Sequence, residues 1–362
     1  MKENIHIACA GDERYFPGLL ATLSSILINT RYQEGISFHI IDGGIRQESW
    51  QILDRTLQRL CNVEILSYPI DQSDFEGFPD FFYDSKMAYA RLLLPNLLPI
   101  DKVIYVDIDI LFLKDIKLLW EMDFQGNAAM AALEAVMPCL KDDCPIIEQL
   151  KLDPNGPYFN SGLMYLNLDK FRKEDIANKT MLYLQTYPKC CKFWDQSALN
   201  VTLHKNFTLL DQSWNTQSHR KVFKIEEQLD ILAEFDINYH FVTSFKPWLR
   251  YNDSPQNRLF YALLEEVGYT LTDPAFLFSK KTYGQKLKIG KLLPFLYHLR
   301  RVIKMVSGQI KEAEADKNTA NFWQEQQSIL RFQKNNKLII DNMEAKWRKK
   351  VKEALSGQTV KV

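Results

Sequence analysis

Apolar positions in the first seventy residues fall into short runs that alternate with stretches of helical spacing. Ile5-His6-Ile7-Ala8-Cys9-Ala10 is a compact apolar run that stops at Gly11-Asp12, the signature of a buried strand and its turn. From Phe16 to Asn29 the apolar residues recur at the spacing of one helix face, which predicts a helix directly after that turn. Ser37-Phe38-His39-Ile40-Ile41 repeats the strand signal before Gly43-Gly44; a helix pattern covers Gln47 to Leu60, and a third strand Asn62 to Tyr68. Further on, Lys102-Val103-Ile104-Tyr105-Val106 predicts a strand running straight into Asp107-Ile108-Asp109. Tyr158 to Leu166 predicts another, with a polar Asn160-Ser161-Gly162 step in its middle, and Trp194-Asp195-Gln196 opens a helix within an apolar region that ends at Trp214-Asn215.

Strands that alternate with helices predict an α/β fold, a mainly parallel sheet with helices on both faces. In such sheets ligands sit beyond the carboxyl ends of the strands, where Gly11-Asp12 and Gly43-Gly44 fall.

This alternation ends near Asp273. Between Pro274 and Lys311 there is no Asp or Glu, whereas Lys280, Lys281, Lys286, Lys288, Lys291, Arg300, Arg301 and Lys304 are interleaved with Leu292, Leu293, Phe295, Leu296, Val302 and Ile303. The chain is therefore read as residues 1–273, a catalytic domain, and residues 274–362, a basic amphipathic and helical extension. The basic, apolar segment 280–306 suits a helix on an anionic membrane surface, and equally a helix docked on the protein with its lysines in water. Residues 312 to 356 carry sparse apolar positions in a pattern too irregular for a coiled coil.

Composition narrows the class. Of 362 residues, 46% are hydrophobic and 25% charged, the balance of a folded protein with a core, and not of a disordered chain. The formal net charge is +0, so the whole molecule offers no electrostatic argument for nucleic acid as a partner. Six cysteines lack the spacing of a zinc ribbon or a secreted scaffold and are expected as reduced, partly buried thiols. Met1-Lys2-Glu3-Asn4 leads directly into the first strand, without the apolar run of a secretory signal, and no stretch is long and uncharged enough to span a bilayer. A cytoplasmic location is expected, peripheral at the inner face of the cytoplasmic membrane if segment 280–306 meets lipid.

The chemistry concentrates at Asp107 and Asp109. Two carboxylates one residue apart at a strand end can hold a hard divalent cation if the chain leaves strand geometry there, and they can equally be an acidic turn. A third ligand must come from a distant segment. His240, in Asn238-Tyr239-His240-Phe241, is the candidate, shortly before Lys246-Pro247-Trp248. A cation held by carboxylates and an imidazole beside a lysine suits a diphosphate, because metal and ammonium together offset phosphate charge. Taken singly, Asn160-Ser161-Gly162 reads also as a strand bulge, Asp195-Gln196 as a helix N-terminus and Lys246-Pro247-Trp248 as a turn before an anchoring tryptophan.

In order along the chain, these segments resemble the retaining glycosyltransferases of family 8, which include bacterial lipopolysaccharide galactosyl- and glucosyltransferases and glycogenin. The resemblance runs from Ile5 to about Trp248. It is carried by Ala10-Gly11-Asp12-Glu13-Arg14-Tyr15, His39 to Ile45, Tyr89-Ala90-Arg91-Leu92-Leu93-Leu94-Pro95, Tyr105 to Asp109, Tyr158 to Leu163, Asp195 to Asn200, Trp214-Asn215 and His240 to Trp248.

What the resemblance implies is a GT-A-type, Rossmann-like fold and transfer of a hexose, glucose or galactose favoured, from a UDP-sugar to a saccharide or glycolipid acceptor. By similarity, Asp107, Asp109 and His240 hold Mn2+, with Mg2+ as an alternative, and Lys246 touches the phosphates. Asp12 and Tyr15 contact the uridine, while Arg91, Asp107, Asn160, Asp195 and Gln196 line the donor sugar pocket. Ala10, Ile108 and Ser161 complete the cofactor-binding set. Gln196 is placed near the reactive carbon, and Asp195 is the alternative catalytic candidate. The chain departs from the family at Thr243, where a Gly is frequent, and at Arg14, where some relatives carry Asn.

Two other readings stand beside this one. An aspartate-nucleophile phosphatase also places Asp-X-Asp after an apolar strand, although on its first strand and with a Thr or Val close behind, unlike Ile110-Leu111 here. A membrane or partner adaptor with a degenerate site is the non-enzymatic alternative.

Overall fold

A computed structural model describes residues 4–31, 35–79, 86–217, 234–242, 246–281 and 334–357. Thr243 and nearly all of segment 280–306 lie outside these described residues.

The opening β-loop-α units form as their patterns require. Strand β1 (Ile5–Gly11) is followed by helix α1 (Phe16–Asn29), which has Pro17 in its first turn, where a missing N–H costs nothing, and is buried around almost its whole circumference. Strand β2 (Ile36–Asp42) leads to helix α2 (Gln47–Leu60), which buries only Ser49, Leu53, Thr56 and Leu57, one face at i, i+4, i+7 and i+8. Strand β3 (Glu64–Pro69) is half exposed because it ends the sheet.

The other strands are β4 (Lys102–Val106), β5 (Ile110–Leu111), β6 (Ala129–Leu133), β7 (Phe159–Asn167), β8 (Phe207–Leu210), β9 (Thr216–Gln217) and β10 (Tyr239–His240). Seven of them make one sheet in the order β3-β2-β1-β4-β7-β6-β8. β1 is parallel to β2 and β4, β2 to β3, and β6 to β8, whereas β7 runs antiparallel to both its neighbours. The sheet is thus mainly parallel, as expected, and the central strands are buried on both faces. Strand order reverses about β1 and β4, so the crevice at their carboxyl ends is the topological switch point. Asp12 follows β1 and Asp107 follows β4, one on each side of it.

A second sheet has three two-residue strands in the order β5-β10-β9. Asn238, fully buried, staples it. Its Oδ1 accepts from Leu113 N and Lys114 N, both at 3.1 Å, its Nδ2 donates to Trp214 O at 3.1 Å, and its own N–H donates to Ser213 O. Strands this short have little cooperative pairing of their own, so side-chain bonds to the backbone must hold them.

By compactness the chain forms one unit of Met1–Lys246 with Lys350–Val362, and another of Pro247–Lys349. This division falls before Asp273 because helix Pro255–Glu266 draws its partners from helix Lys337–Leu355. Trp347 is fully buried and its Nε1 donates to Leu259 O at 3.0 Å; Arg258 pairs with Asp341 at 2.8 Å and Glu344 at 2.7 Å. Among the described residues no helix is long and apolar enough to cross a membrane. All six cysteines are free, with Cys9, Cys144 and Cys191 buried.

Candidate active site

At the end of β4 the chain turns through Asp107-Ile108-Asp109 into β5, and this change of direction lets both carboxylates face one point. β10 pairs antiparallel with β5, setting His240 opposite Ile110, and Phe241 N donates to Asp109 O at 2.9 Å. The small sheet thereby carries an imidazole from far along the chain to the Asp-X-Asp turn. His240 Nε2 lies 3.1 Å from Asp109 Oδ1 and 3.9 Å from Asp107 Oδ2. One ligand atom from each of the three residues falls within 4.8 Å of the others, a cluster that fits a divalent cation in oxygen and nitrogen donors.

Two neighbours make this convergence sterically possible and electrostatically tolerable. Gly162 on β7 accepts Asp107 N at 2.7 Å, and a Cβ there would stand 2.3 Å from His240 Cε1 and 2.9 Å from Asp107 Oδ2. Only glycine fits. The Lys246 ammonium contacts Asp109 Oδ2 and donates to Phe241 O at 2.6 Å. Burial opposes ionisation of Asp109, but the Lys246 ammonium and the His240 imidazole outweigh it and hold the carboxyl well below the usual carboxylate range.

Arg91 links this cluster to a second one. It is 4% exposed, stacks its guanidinium 4.3 Å above the Tyr105 ring, and pairs through Nη2 with Asp107 Oδ1 at 2.8 Å and through Nε with Asp195 Oδ2 at 3.1 Å. Its Nη1 donates to Ser161 O. Burial alone would lower the Arg91 guanidinium, yet Asp107 and Asp195 raise it above its ordinary range, so it stays charged. For Asp195, in the first turn of helix Trp194–Thr202, burial dominates and pushes the carboxyl up to about 6; Arg91 opposes this and Asp107 adds to it.

The polar step in β7 is the junction. Register between β6 and β7 shifts between Ala131 and Leu133, so Asn160, Ser161 and Gly162 leave that ladder and their polar groups turn to other partners. Ser161 Oγ donates to Asp195 Oδ2 at 3.2 Å and Ser161 N to Gln196 Oε1 at 3.1 Å. Gln196 Nε2 and Asn160 Nδ2 both donate to Glu134 Oε2, at 3.3 and 2.9 Å. The segment is thus an irregularity in the ladder, as the bulge reading expects, and leaving the ladder is what frees these groups for partners on other elements.

Asp107, Asp109, His240, Lys246, Arg91, Asn160, Ser161, Asp195 and Gln196 therefore form one connected, largely buried network. Ala10 is buried near the end of β1 beside buried Gly11, whose Cβ would stand 2.7 Å from Ile108 Cδ1, so the first loop and the Asp-X-Asp turn are packed together. Asp12 and Tyr15 are on the loop after β1. Asp12 Oδ1 accepts Arg14 N at 3.1 Å as the cap of a short turn, both Asp12 and Tyr15 are part-exposed, and Arg14 is exposed. Glu134, 4% exposed, belongs to the network and was not among the residues expected from sequence. A signal for it existed: it is a lone carboxylate directly after the apolar run Ala128 to Leu133, as Asp107 follows β4.

Comparison with known proteins places the chain in a family. The profile of glycosyl transferase family 8 matches residues 6–252. General stress protein A of Bacillus subtilis (strain 168) is 26% identical over 287 residues, 75% of this chain and 98% of that protein. Lipopolysaccharide 1,2-glucosyltransferase of Escherichia coli (strain K12) is 26% identical over 274 residues, covering 73% and 78% of the two chains. Among solved structures, the galactosyltransferase LgtC in complex with donor and acceptor sugar analogues superposes with a TM-score of 0.62 at 22% identity, over 74% of this chain and 97% of that one. The shared architecture is the GT-A-like fold. With a family match over most of its length and the fold to go with it, this chain belongs to glycosyl transferase family 8 and is a glycosyltransferase.

Proposed function

We propose that the protein moves a hexose, glucose or galactose, from a UDP-sugar to a saccharide or glycolipid acceptor with retention of anomeric configuration, and that Mn2+ or Mg2+ assists. The observation that carries this reading is the convergence of Asp107, Asp109 and His240 at the switch point of a family 8 fold. The name of the Escherichia coli relative, a lipopolysaccharide glucosyltransferase, favours a glycolipid acceptor.

Asp107, Asp109 and His240 would hold the ion, which when bound neutralises diphosphate charge as the anomeric C–O bond breaks. Lys246 supplies a further positive charge to the same oxygens, exchanging its contact with Asp109 for one with phosphate. Arg91 orients Asp107 through Nη2 and Asp195 through Nε, and Asp195 and Asn160 bind sugar hydroxyls. The Gln196 amide lies near the reactive carbon and stabilises its developing charge; an amide is a poor nucleophile, which favours attack from the face the diphosphate leaves. Asp12 and Tyr15 hold the uridine, with the backbone of Ala10 and Ile108 beside it. The catalytic region extends over residues 1–273, and segment 280–306 brings the enzyme to anionic lipid at the inner face of the cytoplasmic membrane.

A thermal-shift screen of UDP-sugars with Mn2+ identifies the donor, since a ligand bound only by the native state raises Tm. UDP-glucose or UDP-galactose is expected to give the largest shift. If no UDP-sugar shifts Tm with Mn2+ present, the donor assignment fails.

A further inference from the structure

Asn215 is fully buried and stands between a residue of the proposed sugar pocket and a residue of the proposed cation site. On one side its Nδ2 donates to Asn160 Oδ1 at 2.8 Å; on the other its Oδ1 lies 2.9 Å from His240 Nδ1. Which way each amide points is fixed by groups that have no choice. Gly162 N–H, which only donates, gives its proton to Asn160 Oδ1 at 3.0 Å. The Glu134 carboxylate accepts from Asn160 Nδ2 at 2.9 Å. Asn160 is therefore held with its oxygen toward Asn215, and Asn215 must present its nitrogen to Asn160 and its oxygen to His240.

An amide oxygen can only accept, so the proton of neutral His240 resides on Nδ1 and Nε2 is the open position of the ring. Nε2 is the atom 3.1 Å from Asp109 Oδ1. In the opposite tautomer an N–H would point into the cluster and no imidazole lone pair would be offered to a cation. We infer that Asn215 is a positioning residue: it sets the tautomer and ring plane of His240 as a cation ligand, and ties that setting to Asn160. The inference rests on the reading of Asp107, Asp109 and His240 as a cation site. Outer partners of this kind commonly change metal affinity by about 10–100-fold when removed.

The test is an Mn2+ titration followed by electron paramagnetic resonance, on the full chain with saturating UDP, in wild type, Asn215→Leu and Asn215→Asp. Asn215→Leu is expected to weaken Mn2+ by about 10–100-fold. Asn215→Asp still accepts from Nδ1 and should bind Mn2+ within a few-fold of wild type, while the lost donation to Asn160 lowers transfer from the donor. Equal Mn2+ affinity in wild type and Asn215→Leu overturns the inference, and so does Asn215→Asp as weak as Asn215→Leu, which would make the role one of packing. Absence of Mn2+ binding by wild type would instead remove the cation site itself, and the inference with it. Independently of any variant's folding, long-range 15N NMR of wild type saturated with diamagnetic Mg2+ and UDP is expected to show His240 protonated at Nδ1 alone, with Nε2 taken by the cation. A proton on Nε2 alone overturns the assignment.

Discussion

Single side chains at this site are constrained from several directions, so small changes have calculable effects. Gly162→Ala places a methyl 2.3 Å from His240 Cε1, and either the imidazole or the Asp107 carboxylate must move. Overpacking of this sort costs about 1–3 kcal/mol. We expect a modest fall in Tm with at least about a tenfold loss of Mn2+ affinity, as for displaced ligand support; Mn2+ binding at wild-type strength would show that the cluster is not the site. The buried Asp195 makes a pH prediction. Its carboxyl, at about 6 when folded against an ordinary 3.8, is raised on folding, so its stabilising contribution is complete below 3.8 and disappears as pH rises through 6. At 1.36 kcal/mol per unit this amounts to about 3 kcal/mol at most. Without metal, Tm of wild type should therefore fall relative to Asp195→Asn between about pH 4 and 6. Parallel curves across that window would contradict the assigned shift.

At the level of elements, β5, β9 and β10 carry His240 to Asp109, and Asn238 is the staple they share. Asn238→Ala removes an acceptor from two backbone N–H groups and leaves them buried, at about 1–3 kcal/mol for each unsatisfied group. Thermal denaturation should show a loss of several degrees accompanied by weaker Mn2+ binding. A Tm loss with Mn2+ affinity intact would mean that the cluster does not depend on this sheet. The same elements mark the limit of what the sequence makes legible. α1, α2 and β4 lie at the residues that hydrophobic spacing predicts, because each is long or strongly patterned and punctuated by Gly, Asp or Pro. β5, β9 and β10 have two residues each and no period to read; they exist through pairing and through Asn238. β6, Ala129-Met130-Ala131-Ala132-Leu133, is made largely of helix formers, and its place between β7 and β8 overrides that propensity. Glu134 was missed with it. Asp107, Asp109, His240 and Lys246 were legible because the family pattern joins segments that spacing alone cannot connect.

On the scale of the whole molecule, net charge gives no reason to meet an anionic surface, so the proposed attraction must come from segment 280–306. Binding to anionic vesicles should fall steeply with added salt, as the screening length contracts from about 10 Å at 0.1 M toward 3 Å at 1 M. Vesicle binding that ignores salt would assign the contact to apolar insertion. Cutting the chain after Asp273 is a poor test of this, since it also strips buried Trp347 and the partners of Arg258 from the second compact unit; charge reversal at Lys286, Lys288 and Lys291 is cleaner. The central proposal is that this molecule activates a UDP-sugar with a divalent cation, a reading supported by the family, the fold and the partly buried Asp-Asp-His cluster. The most direct measurement is release of UDP from UDP-glucose and UDP-galactose by the intact protein, with Mn2+ and with chelator, in wild type and Asp109→Asn. The account predicts Mn2+-dependent release by wild type and a loss of at least about a hundredfold in the variant. Release that survives chelation, or an Asp109→Asn protein as active as wild type, would contradict it.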